Sequence, residues 1–403
     1  MQKLKGKEVK YLAFLFSITY MISYITRVNY GAIISEMVIQ TGFEKSLLSL
    51  ALTGNFIFYG LGQLVSGTIG DRISPKKLVS LGLCVTVAMN AIIPFCINPY
   101  QMLVVWCVNG FSQAFMWPPM IKIMACLLTA NDYKNVMVKV VWGSSVGTIV
   151  VYLMSPILIK LYGWQMVFWV SAAMGFIMIF LWNKYSYDVK LQKSHNTNTH
   201  NKQDSSISIF LTPLFIFVLL GIVLQGMLRD GVTTWMPSYI TETYNLDNKI
   251  SILTGVVLPI FAIISFQVTE KLYEKRFKNP MACAGLIFGI GSLSAIGLLL
   301  ISGKNVILSV LFSAILTACM HGVNLILVCM LPQFFEKYGN VSTASGVLNS
   351  CTYIGSAIST YGIAVFAEQR GWNATILLWV GIAFLGCLLC FGCIKDWNKK
   401  FSN

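Results

Sequence analysis

The chain is expected to be an all-α membrane protein with twelve transmembrane helices in two pseudo-symmetric six-helix bundles, and three observations carry this. Of its 403 residues, 56% are hydrophobic and only 11% charged, too few charges to cover the surface of a soluble protein of this length. Apolar stretches of about 20 residues, the length that crosses hydrocarbon as a helix, occur twelve times. A single long polar stretch separates six of them from the other six.

Taken in order, span one (11–33) follows a Lys-rich start, as the core of a signal peptide would. It holds Arg27 and has no small-residue cleavage site, so it is expected to be retained. Span two (49–70) and span three (78–98) are joined by a short Gly-containing, basic turn. Span four (100–128) contains Trp117-Pro118-Pro119; two prolines interrupt the backbone ladder and should bend or loosen the helix. Spans five (139–161) and six (163–183) complete a first bundle over 1–183. The stretch 184–207, rich in Asn, Thr, Ser and Lys, reads as a solvated cytoplasmic linker. Its His195 and His200 have no third ligand nearby and are read as incidental. Spans seven to twelve (208–230, 249–269, 280–302, 305–332, 345–367 and 372–394) form a second bundle over 208–403.

The halves repeat. Gly147 in span five is followed by Gly163-Trp164 at the turn into span six, and Gly355 in span eleven is followed by Gly371-Trp372 at the same interval. Two parallel six-helix repeats are an arrangement in which a substrate site lies at midplane between them.

The formal net charge of +14 is topological. With the N-terminus in the cytoplasm, the two tails and the even-numbered loops, counted with Lys139 at the cytoplasmic edge of span five, hold 21 of the 29 Lys and Arg residues, and the opposite loops hold four: Lys45, Lys249, Lys304 and Arg370. That is the positive-inside pattern. It places both termini in the cytoplasm of a multi-pass inner-membrane protein and argues against nucleic-acid binding. The eleven cysteines lie almost entirely in apolar spans and read as small core residues, so neither a disulfide framework nor a metal site is expected.

Charged groups inside spans are few, and each is costly to bury, about 2.5–3.5 kcal/mol on insertion scales. Arg27 in span one and Arg229 in span seven occupy the first span of each half and make a two-sided clamp for an anion; a guanidinium suits this because it stays charged and binds carboxylate or phosphate bidentately. Tyr20, Tyr24 and Arg27, spaced by four and then three, share one helix face. Gln113 either hydrogen-bonds the substrate or ties two helices together, with Trp117 one turn on. Lys122 falls toward the cytoplasmic end, where a long side chain snorkels. Asp230 directly follows Arg229; neighbours point about 100° apart on a helix, so the two need not pair. Asp230 and His321 are the candidates for proton coupling, or for structural partners on neighbouring helices. No nucleophile–base arrangement or phosphate-cradling loop appears. The chain is not expected to be an enzyme, and no cofactor is implied.

Between spans two and three, Gly67-Thr68-Ile69-Gly70-Asp71-Arg72-Ile73-Ser74-Pro75-Lys76-Lys77 resembles the signature loop of the major facilitator superfamily. Its Pro-containing form resembles that of the organophosphate:phosphate antiporters, as do Tyr20, Tyr24, Arg27 and Asn29, then Gln113 with Trp117-Pro118-Pro119, then Leu228-Arg229 with Gly231, Trp235 and Pro237, and Tyr353-Ile354-Gly355. The resemblance covers essentially the whole chain. It implies alternating access, a substrate site that takes in Tyr353, Gln63 and Ser145, and a conformational role for Asp71 and Arg72. Gln63 stands where that group usually has Lys, and Ser145-Val146 where it usually has His. Both changes remove groups that help hold a phosphate dianion, while the arginine pair is enough for a monoanion.

The expected function is secondary transport of a small organic anion, a sugar or polyol phosphate exchanged for inorganic phosphate, by a monomer in the bilayer. The alternative is a proton-coupled symporter of an organic carboxylate such as a sugar acid, and a third class is a transporter-like receptor.

Overall fold

The computed structural model describes residues 3–70, 72–188, 212–246, 254, 256–338 and 341–401. Asp71, His195, His200 and the linker from residue 189 onward lie outside the described residues. The described chain is helical, with no strand. Helices α1 (Lys7–Thr41), α2 (Lys45–Gly70), α3 (Pro75–Ile92), α4 (Pro99–Gln113), α5 (Trp117–Leu127), α6 (Ala130–Tyr162) and α7 (Gln165–Tyr185) are followed by α8 (Pro213–Tyr244), α9 (Val257–Lys275), α10 (Pro280–Ile301), α11 (Val306–Asn324), α12 (Val341–Gly392) and the short α13 (Ile394–Phe401).

The starts of these helices follow from their side chains. Pro75, Pro99, Pro213 and Pro280 stand at the first helical position, where the missing N–H costs nothing. Ser74, Asn98, Thr129, Asn279 and Asn305 accept hydrogen bonds from the free N–H groups of the first turns of α3, α4, α6, α10 and α11, each cap contributing about 0.5–2 kcal/mol.

Among the described residues, nine helical stretches are by themselves long and apolar enough to cross a membrane. The other three expected spans are present in modified form. Span four is two helices, α4 and α5, because Pro118 and Pro119 open the second one. There the amides of Phe115 and Met116 reach back only three residues, to Ser112 and Gln113 (3.0 and 3.2 Å). Span eight corresponds to α9, whose apolar part gives way to Glu270, Lys271, Glu274 and Lys275. Spans eleven and twelve run as one helical element, α12, broken at Gly371. Several helices outrun the apolar spans, α1 and α6 most clearly, since hydropathy registers the apolar stretch and not the helical continuation beyond it.

Two compact units divide the chain: Met1–Thr197 with Pro332–Ser350, and Asn198–Leu331 with Cys351–Asn403. Within the first, Tyr30, Met37, Trp106, Trp164 and Phe168 form a fully packed aromatic and aliphatic core. Its α2 also meets the start of α12, where the Ser350 hydroxyl donates to the Gly60 carbonyl at 2.7 Å. Large apolar side chains such as Phe14, Val104, Phe180, Leu293 and Leu300 are more than half exposed, the surface expected of a chain whose solvent is lipid.

The sequence repeat has a structural counterpart in each unit taken separately. In the first, Gly143 and Gly147 let α6 run against α1: a methyl group at Gly147 would sit 2.6 Å from the Met21 carbonyl oxygen, and one at Gly143 would strike that of Ser17. In the second, methyl groups at Gly226 and Gly355 would strike the carbonyls of Thr352 and Val223, so α8 and α12 meet in the same way. Met21 and Val223 each precede the arginine of their helix by the same interval. The turns that follow match as well: Gly163 has φ 88 and ψ 171, Gly371 φ 77 and ψ 171, a left-handed conformation that only glycine adopts without strain.

Candidate functional site

In the first unit, Arg27 is 7% exposed on α1. Its guanidinium carbon lies 4.3 Å from the ring centre of Tyr24 and 4.6 Å from that of Tyr59 on α2. Cation–π contacts of this kind contribute about 0.5–2 kcal/mol each, more when desolvated, and they hold the planar fork in a defined orientation. Tyr20 meets Tyr24 edge-to-face at 5.1 Å and packs at a tilt on Trp117 at 4.6 Å. The four-then-three spacing along α1 therefore becomes a continuous aromatic ladder from Trp117 through Tyr20 and Tyr24 to Arg27. Tyr59 extends it from a different helix; no local spacing in the sequence pointed to it.

The turn of α1 that precedes Arg27 is fastened by polar groups buried in α3 and α4. The Thr26 carbonyl accepts from the amides of Asn90 (3.0 Å) and Asn109 (3.2 Å), and Asn29 donates to Asn90 at 2.8 Å. Gln113 donates to the Thr26 hydroxyl at 2.9 Å and accepts from the Ser23 hydroxyl at 2.8 Å. Both ends of the Gln113 amide are thus used in tying α4 to α1. A signal for Asn90 and Asn109 existed: amides within apolar spans usually bond across helices.

The remaining first-unit positions are spread along their helices. Gln63, fully buried one turn beyond Tyr59, donates to the Ala114 carbonyl at 3.5 Å, while its Oε1 has no hydrogen-bond partner among the described residues. Ser145 is buried on α6, next to the Gly143 and Gly147 crossing. Lys122 does not simply extend to an interface: its Nζ donates to the Gly70 carbonyl at the end of α2, 3.0 Å away, where a cation is favoured by the helix dipole. Arg72 is exposed in the turn after α2.

In the second unit, Arg229 is likewise 7% exposed. Its Nε and Nη2 donate to the two carboxylate oxygens of Asp230 at 2.7 and 2.8 Å. The arginine side chain is long and flexible enough to fold back onto its neighbour, which overrides the divergence of adjacent helix positions. Ser356 on α12 donates to Asp230 Oδ2, and the Tyr353 ring, one turn earlier on that helix, is centred 5.8 Å from the Arg229 guanidinium carbon. His321, on α11, sets its ring edge-on to Phe266 at 5.6 Å. Gln225, one turn before Arg229, donates to the Met320 carbonyl at 3.1 Å.

Each unit therefore presents a buried guanidinium on the first helix of its half, beside tyrosine rings and beside a close helix–helix crossing. Guanidinium groups in general pair with carboxylates and phosphates through two parallel N–H donors. Arg229 carries a carboxylate on one edge. Among the described residues, no group of three or more His, Cys, Asp or Glu side chains comes close enough together to hold a metal ion.

Residues 16–360 match the family model described as Major Facilitator Superfamily. The chain is 21% identical to "Probable hexose phosphate transport protein" of Chlamydia muridarum, over 94% of this chain and 89% of that protein. It is 21% identical to "Membrane sensor protein UhpC" of Salmonella typhimurium, over 91% and 88%, and 20% identical to "Glycerol-3-phosphate transporter" of Bacillus subtilis, over 90% and 87%.

Proposed function

Because this chain belongs to the Major Facilitator Superfamily, is a multi-pass membrane protein and carries one buried arginine on the first helix of each half, we propose that it is a secondary transporter that exchanges a sugar or polyol phosphate for inorganic phosphate by alternating access. The observation that carries this reading is the arginine pair. A guanidinium placed inside an apolar span is costly and usually has a role there, and its planar fork suits an oxyanion. The names of the relatives, hexose phosphate and glycerol phosphate transporters, point to the same ligand class.

In this reading Arg27 and Arg229 take the anionic group. Tyr20, Tyr24 and Tyr353 donate hydrogen bonds to it, and Gln63, Trp117 and Ser145 line the site. The attraction of one anion to both arginines offsets the desolvation incurred when the cavity closes over charge. Asp71 and Arg72 act in the conformational change. The protein works as a monomer in the inner membrane, with both termini cytoplasmic. Asn90, Asn109 and Gln113 serve the site indirectly by fixing the turn of α1 that bears Arg27.

The test is counterflow. Proteoliposomes preloaded with inorganic phosphate should take up labelled phosphate, and external hexose 6-phosphate or glycerol 3-phosphate should compete with it, both without a proton gradient. Uptake that requires the gradient and follows a sugar acid instead would favour the carboxylate symporter. A second reading has a specific observation behind it, since one of the relatives is named a membrane sensor: a receptor for the same anions would bind hexose 6-phosphate and show no flux in this assay.

A further inference from the structure

We propose that Asp230 sets the charge of the anion this chain accepts, by holding Arg229 as a neutral ion pair so that singly charged ligands are favoured over doubly charged ones. The assignment rests on the anion-carrying reading above and specifies its ligand. Both carboxylate oxygens of Asp230 lie on Arg229, at Nε (2.7 Å) and Nη2 (2.8 Å). They occupy one whole edge of the guanidinium, an edge on which carboxylates and phosphates bind bidentately. The pair is largely buried, its side chains 9% and 19% exposed, and Ser356 reaches across from α12 to hold Asp230 as well.

Stability alone is a weak reason for this arrangement. The desolvation of a buried ion pair consumes most of its Coulomb gain, and replacement by apolar groups is often neutral or better. The halves are also unlike. The residue after Arg27 is Val28, and α1 carries no acidic residue between Glu8 and Glu36. Arg229 is thus matched by the carboxylate that directly follows it, a residue for which α1 has no equivalent after Arg27.

The consequence is a charge filter. A negative charge fixed beside Arg229 subtracts from the attraction felt by every charge on the ligand, so a dianion loses twice what a monoanion loses. At the separations of a ligand in contact with the pair, and an effective dielectric constant of about 20, the difference amounts to roughly ten- to a hundredfold in relative affinity. Gln63 and Ser145 point the same way, being uncharged positions of the expected site. The matching ligands are singly ionised phosphate monoesters and carboxylates with a hydroxylated carbon skeleton.

The experiment compares two hexose derivatives of equal carbon number on the purified full chain at pH 8: hexose 6-phosphate, a dianion there, and hexonate, a monoanion. The readout is the ratio of their affinities from ligand-induced thermal stabilisation. Asp230→Asn should raise the ratio in favour of the dianion at least tenfold, and Asp230→Ser, which removes the charge with a different shape, should move it the same way should the Asn variant fold poorly. Asp230→Glu retains the charge and should restore the ratio to within about threefold of wild type. A ratio unchanged in both neutral variants, or shifted toward the monoanion, overturns the proposal while leaving the anion-transport reading intact. If the wild-type protein binds neither compound, nor inorganic phosphate, the anion reading itself fails and the charge filter with it.

Discussion

Replacing Gly147 by alanine tests whether the α1–α6 crossing positions the arginine of the first half. The added methyl group would lie 2.6 Å from the Met21 carbonyl oxygen and 3.1 Å from Tyr24 Cβ. Ordinary contact begins near 3.4 Å, so the helices must part by about 0.8 Å against the carbonyl. The obstacle is backbone, which cannot rotate away as a flexible side chain would. Overpacking of this kind costs about 1–3 kcal/mol. The displaced segment carries Tyr24 and, one turn later, Arg27, and misplacing binding groups by about 1 Å lowers function by up to about a hundredfold. Gly147→Ala should therefore melt at lower temperature in detergent and bind anion at least tenfold more weakly. Gly362→Ala is the matched control. Its methyl meets nothing within 4 Å, and it should be neutral or stabilise slightly through helix propensity. The reasoning is refuted if Gly147→Ala melts and binds like the wild type, or if both substitutions have the same effect.

Gln113→Ala removes the partner of two buried hydroxyls, Ser23 and Thr26; the expected destabilisation is about 1–3 kcal/mol, measured by thermal melting, and anion affinity should fall with it as α1 loosens. Tyr59→Leu takes one of the two aromatic rings from Arg27 while keeping an apolar side chain of smaller volume. Anion affinity should drop about five- to thirtyfold, in line with a partly desolvated cation–π contact of about 1–2 kcal/mol, with ligand titration as the check. In the second half, Gly355→Ala drives a methyl into the Val223 carbonyl, and its loss in melting temperature should at least equal that of Gly147→Ala.

What could be read from the chain divides along a physical line. Hydropathy is a one-dimensional property, so nine of the twelve apolar spans were legible as membrane-length helices among the described residues. The interruption of span four was legible as well, because proline acts on its own backbone. Helix ends beyond the apolar stretches were not, whereas the break between spans eleven and twelve at Gly371 was. Arg27 and Arg229 stood out because a charge in an apolar span is conspicuous. Tyr20 and Tyr24 could be aligned with Arg27 because they share a helix. The pairings that required two helices to be brought together were invisible: Tyr59 beside Arg27 and Ser356 on Asp230, and, although amides in apolar spans signal some cross-helix bond, the choice of the Thr26 carbonyl by Asn90 and Asn109. The pairing of Arg229 with Asp230 was hidden for another reason. Helical geometry points adjacent side chains apart, and only the length of the arginine allows it to fold back.

The central claim is that both arginines grip one anion through their planar forks. Its most direct test is the affinity of Arg27→Lys and Arg229→Lys for hexose 6-phosphate and inorganic phosphate, measured by ligand-induced thermal stabilisation. Lysine keeps the charge and removes the fork. The account predicts that each single variant loses at least tenfold in affinity, about 1.4 kcal/mol, and that the double variant loses all measurable binding. Wild-type affinity in either single variant would contradict it.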